Sequence, residues 1–102
     1  MKATTPEEHQ AVQKFVDEAR LAQEGDAEAQ FSVAFELLVG NTKLGLERNI
    51  DLGVEFLKLA AVQGHSHAQR YYGGCLIDGT WGVKANPMVG IQFMTRRYFF
   101  SN

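Results

Sequence analysis

The chain has 102 residues, 45% of them hydrophobic and 22% charged, with a formal net charge of −2. One domain of ordinary globular composition follows, large enough to bury about 60–65% of its unfolded surface. The slightly acidic balance argues against a dedicated nucleic-acid binder.

A single cysteine cannot close an internal disulfide, which fits a reducing compartment. The opening MKATTPEEHQ lacks the apolar stretch of a signal peptide. No apolar run approaches the roughly 20 residues of a membrane span. The expectation is a cytoplasmic chain that does not enter a membrane. Charge is uneven along it. Glu7, Glu8, Asp17, Glu18, Glu24, Asp26 and Glu28 outnumber Lys2, Lys14 and Arg20 at the front. Toward the end, Arg70, Lys84, Arg96 and Arg97 face only Asp78. This reads first as the solvated faces of separate helices; it also allows head-to-tail pairing of copies.

The elements announce themselves through caps and periodicity. Thr5-Pro6-Glu7-Glu8 is an N-cap, a proline at the first helical position and a capping-box glutamate. The helix it opens places Val12, Phe15, Val16, Ala19 and Ala22 on one face and stops at Gly25. Asp26 caps a second helix whose Ala29, Val33, Ala34 and Leu37 form one stripe, ending at Gly40. Asn49 caps a third, with Gly53, Phe56, Leu57, Ala60 and Ala61 on one face and Gly64 as its stop. Ser66 or His65 begins the fourth; Ser66-x-x-Gln69 has the pattern of a capping box. Asn86-Pro87 repeats the opening signal for a fifth.

These elements repeat. At a constant offset of 39, Ala29-Gln30 falls on Ala68-Gln69, Ala34 on Gly73, Leu37 on Leu76 and Gly40 on Gly79. At offset 37, beyond a loop that is two residues shorter in the second copy, Gly45 falls on Gly82, Asn49 on Asn86, Gly53 on Gly90 and Phe56 on Phe93. The reading is all-α: about five antiparallel helices, half a repeat at 6–25 followed by units at 27–64 and 66–100.

The stretch GHSHAQRYYGGC gathers two histidines, tyrosines, paired glycines and the only cysteine. A zinc site needs three or four convergent ligands. His67 and Cys75 stand two helical turns apart, on the order of 12 Å along the axis, too far to share an ion or form a nucleophile pair. The YYGGC glycines lack the preceding strand and the GK[ST] ending of a phosphate loop. The expectation is a joint between helices, with no metal, no cofactor and no catalytic centre. Glu7-Glu8 and Asp17-Glu18 are sequence neighbours that point apart on a helix, not acid–base pairs.

Ala-x-Ala-Gln, a small residue further on, a helix-ending glycine, a Gly-Val loop, an aromatic helix, Ala-Ala and then Gly-His resemble the Sel1-like repeat, the bacterial-rich relative of the tetratricopeptide repeat. AEAQFSVAFELLVG…GVEFLKLAAVQGH fits that pattern over nearly its whole length, and HAQRYYGGCLIDGTWGVKANPMVGIQFM fits it less completely. The last helix departs from it, with Arg97 and Tyr98 where the family has Ala-Ala, followed by Phe99 and Phe100. The resemblance implies a short α–α solenoid without an active site, a module that holds a protein or peptide partner.

In such arrays the first helix of each unit lines the concave face. Its side chains off the core stripe, Phe31, Phe35, Arg70, Tyr71 and Gly74, are then candidate partner contacts. Trp81, in a loop where the repeat demands no aromatic, is either a partner anchor or a cover for the end of a helix pair. Phe99 and Phe100 either close the core or meet a second copy or a partner. The function expected is a non-enzymatic adaptor. The alternatives are an antidote-type protein that masks a toxin or effector, and a self-associating structural subunit, so a homodimer is allowed.

Overall fold

The computed structural model describes residues 5–95, and the described residues form five α-helices and no strand. They are α1 (Pro6–Gln23), α2 (Ala27–Val39), α3 (Ile50–Val62), α4 (Ser66–Asp78) and α5 (Pro87–Met94). Short 3-10 turns, Thr42–Leu44 and Thr80–Gly82, sit in the α2–α3 and α4–α5 connections. Each helix packs on the next in sequence, which gives an elongated slab of 52 × 25 × 16 Å.

The helix starts are set by side-chain acceptors, which relieve the unpaired N–H groups of the first turn. Thr5 Oγ1 accepts from the Glu8 N–H at 3.1 Å, Asp26 Oδ1 from Ala29 at 2.8 Å and Asn49 Oδ1 from Leu52 at 3.2 Å. Asn86 Oδ1 accepts from Val89 at 3.4 Å. At α4 the capping residue is His65, whose Nδ1 accepts from the Ala68 N–H at 3.2 Å. Ser66 lies inside the helix instead. His65 occupies the place that Asp26 holds one unit earlier, and an imidazole nitrogen can stand where a carboxylate oxygen does. Gly25 and Gly64, at φ +104° and +97°, turn the chain out of α1 and α3 in a region that side chains rarely adopt.

Connections recur between corresponding positions. The Asp26 N–H donates to Leu21 O at 3.0 Å, and the His65 N–H donates to Ala60 O at 3.1 Å. The Asn49 N–H donates to Leu37 O at 2.8 Å, and the Asn86 N–H donates to Leu76 O at 2.6 Å. Thus the chain enters α2 and α4 by one geometry and α3 and α5 by another.

The core is built from small residues and a few large ones. Ala34, Leu38, Leu57, Ala60, Ala61, Ala68, Tyr72, Leu76 and Phe93 form its main cluster. A second cluster, Ala22, Ala29, Val33 and Leu37, joins α1 to α2, and half-buried Phe56 packs on both. Alanine at the crossings lets the helix backbones approach closely, so Leu57, 2% exposed, is enclosed on all sides. Burying such a side chain stabilises by about 1.5–3 kcal/mol. Of the apolar face expected on α1, Ala22 is buried and Phe15 and Ala19 pack on α2, but Val12 and Val16 remain exposed. Among the described residues, α1 buries one side, because α2 is the helix it packs against.

Candidate functional site

Three of the sequence candidates converge. Phe31 and Phe35 project from α2 and Tyr71 from α4. Their ring centroids lie 6.3 Å apart for Phe31–Phe35, 5.9 Å for Phe31–Tyr71 and 6.3 Å for Phe35–Tyr71, the last edge-on. They line an open groove of about 430 Å³ together with Glu28, Ser32, Glu36 and His67. Phe35 and Tyr71 are each 48% exposed, whereas Phe31 is half-buried. Large rings held half in solvent, side by side, are the surface features a partner uses as anchors.

The floor of this groove is locked from below. Phe31 stacks on His65 at 4.7 Å with an interplanar angle of 23°. Since His65 Nδ1 accepts the α4 capping bond, its proton sits on Nε2, which donates to Glu28 Oε2 at 2.7 Å. One imidazole therefore caps a helix, pairs with a carboxylate of another helix and supports an aromatic ring. His67 stands 5.8 Å from both the Phe31 and the His65 rings.

The remaining candidates lie elsewhere. Arg70 and Gly74 are on α4 but do not line the groove. Trp81 sits in the Thr80–Gly82 turn, half-buried, with its indole against the main core cluster. Phe99 and Phe100 fall outside the described residues. His67, Glu28, Ser32 and Glu36 line the groove, with His65 beneath Phe31, but none of them was among its expected residues. The signal for them was positional: Glu28, Ser32 and Glu36 share the outer face of α2 with Phe31 and Phe35.

Two other hollows are open at the surface. One of about 190 Å³ adjoins the groove through Ser32 and Glu36 and is walled on its far side by Lys14, Phe15 and Glu18 of α1. A larger one, about 950 Å³, is lined by Val39 at the end of α2 and by residues of the connection that follows it as far as Arg48. There the Arg48 Nε–H is already tied to Leu38 O at 3.0 Å. It is the inside of one chain turn, and among the described residues none of α1, α3, α4 or α5 lines it.

Among the described residues, no three of His, Cys, Asp and Glu gather closely enough to hold a metal ion. Cys75 is buried in α4; burial, and then the charge of Asp78, push its thiol pKa up, away from the reactive thiolate. No described helix is long and apolar enough to cross a membrane. The chain matches none of the protein-family models with which it was compared, and none of the curated proteins.

Proposed function

We propose that this chain is a non-enzymatic protein-binding module, a short Sel1-like α–α solenoid of half a repeat and two repeats, whose partner is a peptide or protein face seated between α2 and α4. The repeat reading is supported by the paired entry geometries of the helices and by the matching crossings. In one unit the would-be Cβ of Gly53 meets Ala34 O at 3.3 Å; in the next, that of Gly90 meets Gly73 O at 2.7 Å. The half-repeat reading is supported by α1. Where α3 buries Gly53 and Leu57, the corresponding positions of α1 are the polar Lys14 and Glu18, which line the smaller hollow between α1 and α2. Polar residues at positions that pack a neighbouring helix elsewhere in the stack are what a terminal helix needs.

The observation that carries the binding reading is the exposed ring cluster of Phe31, Phe35 and Tyr71 on adjoining faces of two helices. It is tested by affinity capture from native lysate with wild type beside a Phe35→Ala/Tyr71→Ala double variant. A protein retained by wild type and lost by the variant is expected, with thermal melts showing both folded. Equal retention by the two proteins would place the partner elsewhere.

A further inference from the structure

The charges around the groove say more than its shape. Glu28 and Glu36 are eight residues apart on α2, so they bracket Phe31 and Phe35 along about 12 Å of helix. Glu28 uses one oxygen on His65, and Glu36 Oε2 accepts from Asn41 Nδ2 at 3.0 Å. Neither is paired with a lysine or arginine among the described residues. Among the described residues, the one lining side chain able to carry positive charge is His67. Arg70 is exposed beside Tyr71 but not in the lining, and Lys14 belongs to the adjoining hollow, four residues before Glu18.

Resting on the binding reading above, we propose that this groove receives a cationic side chain of the partner peptide, arginine in preference to lysine. The cation lies against the exposed rings of Phe35 and Tyr71, above half-buried Phe31, and is flanked by the carboxylates of Glu28 and Glu36. Aromatic faces carry negative potential, and a guanidinium is planar, weakly hydrated and able to stack on a ring while its edge N–H groups reach carboxylates. An anionic side chain in the same place would meet two carboxylates of its own sign. The site is also organised before a partner arrives. Phe31 is fixed on His65, His65 is fixed by its cap and by Glu28, and so little ordering remains to oppose binding.

The test begins with a random 12-residue peptide display library panned on the full chain. Binders are then measured by fluorescence anisotropy against wild type, Phe35→Ala/Tyr71→Ala and Glu28→Gln/Glu36→Gln, with thermal melts as the folding control. Enrichment of arginine or lysine at one position is expected. Replacing that residue by neutral citrulline, or both glutamates by glutamine, weakens binding by about five- to tenfold, and added salt weakens the wild-type complex. Peptides that need Phe35 and Tyr71 but tolerate citrulline and the glutamine variant would overturn the cationic anchor and leave the groove standing. Absence of any binder that depends on Phe35 and Tyr71 would overturn the groove and the anchor with it. A dimer of the free chain, abolished by Phe35→Ala/Tyr71→Ala, would assign the groove to a second copy and overturn the proposal.

Discussion

Gly73 of α4 and Gly90 of α5 face each other across a backbone contact with no room for a side chain on either. A Cβ built on Gly73 lies 2.8 Å from Gly90 O, and one built on Gly90 lies 2.7 Å from Gly73 O. Gly74, one residue on, has nothing within 4 Å of its would-be Cβ. Adjacent glycines of one helix thus respond to the same substitution with opposite sign. Gly73→Ala or Gly90→Ala forces α4 and α5 apart and costs about 1–3 kcal/mol. Gly74→Ala removes only helix-interior flexibility and stabilises by about 0.5–1 kcal/mol. Urea denaturation of the three variants checks the signs; a loss at Gly74 equal to that at Gly73 would refute this helix crossing.

Gln30 and Gln69 hold corresponding buried positions in α2 and α4, yet their amides fare differently. Gln30 Nε2 donates to Ala22 O at 3.1 Å, and its Oε1 accepts from Gln63 Nε2 at 2.7 Å. Gln69 Oε1 is buried with no partner among the described residues. A hydrogen-bonded buried amide is costly to remove, and a buried carbonyl oxygen without a partner is costly to keep. Gln30→Met therefore destabilises by about 1–3 kcal/mol, while Gln69→Met is neutral or stabilising. Equilibrium unfolding of the two variants separates them, and equal losses would contradict the bonding assigned to Gln30.

The helices were legible in the sequence because their starts rest on local chemistry. Thr5, Asp26, Asn49 and Asn86 each bond the N–H three residues on, a pattern visible in a few residues of text. His65 was harder, since Ser66 offers a better-known cap and only the alignment with Asp26 favours the histidine. Phe31, Phe35 and Tyr71 were legible as side chains left off the core stripes. The role of His65 and His67 beneath them was not, because it depends on how near α2 lies to the start of α4. Local periodicity overstated the core of α1, where Val12 and Val16 repeat at helical spacing but stay exposed among the described residues. Trp81 was ambiguous for a similar reason: a loop position says nothing of which way the ring turns.

Asp78 predicts a pH dependence. It ends α4, where a negative charge opposes the helix dipole, but the Thr80 hydroxyl and then the Thr80 backbone N–H donate to its carboxylate and hold its pKa below the ordinary value. A depressed folded-state pKa adds stability that is fully present above the unfolded carboxylate's pKa and is lost as pH falls through the folded value. Asp78→Asn therefore lowers Tm relative to wild type near neutrality, and the gap closes as the solution is acidified. Melting curves of both proteins between pH 7 and pH 2 provide the check, and a gap that stays constant with pH would assign the effect to something other than this carboxylate.

Trp81 separates packing from partner binding. Its φ of 57° is the only positive value outside glycine among the described residues, a costly backbone for a bulky side chain. The indole packed against the main core cluster offsets that cost. Trp81→Ala removes the packing and keeps the unfavourable φ, so it destabilises by about 1–3 kcal/mol. Trp81→Gly loses the same packing but relieves the backbone, and so destabilises less than alanine, the reverse of the usual order. Phe35→Ala and Tyr71→Ala, on exposed rings, shift stability by less than about 1 kcal/mol. Thermal melts of the four variants, paired with partner capture, draw the line. The Trp81 variants should lose stability and keep the partner at temperatures where they remain folded, while the ring variants do the opposite. Loss of the partner by a fully folded Trp81→Gly would instead make the indole a contact residue.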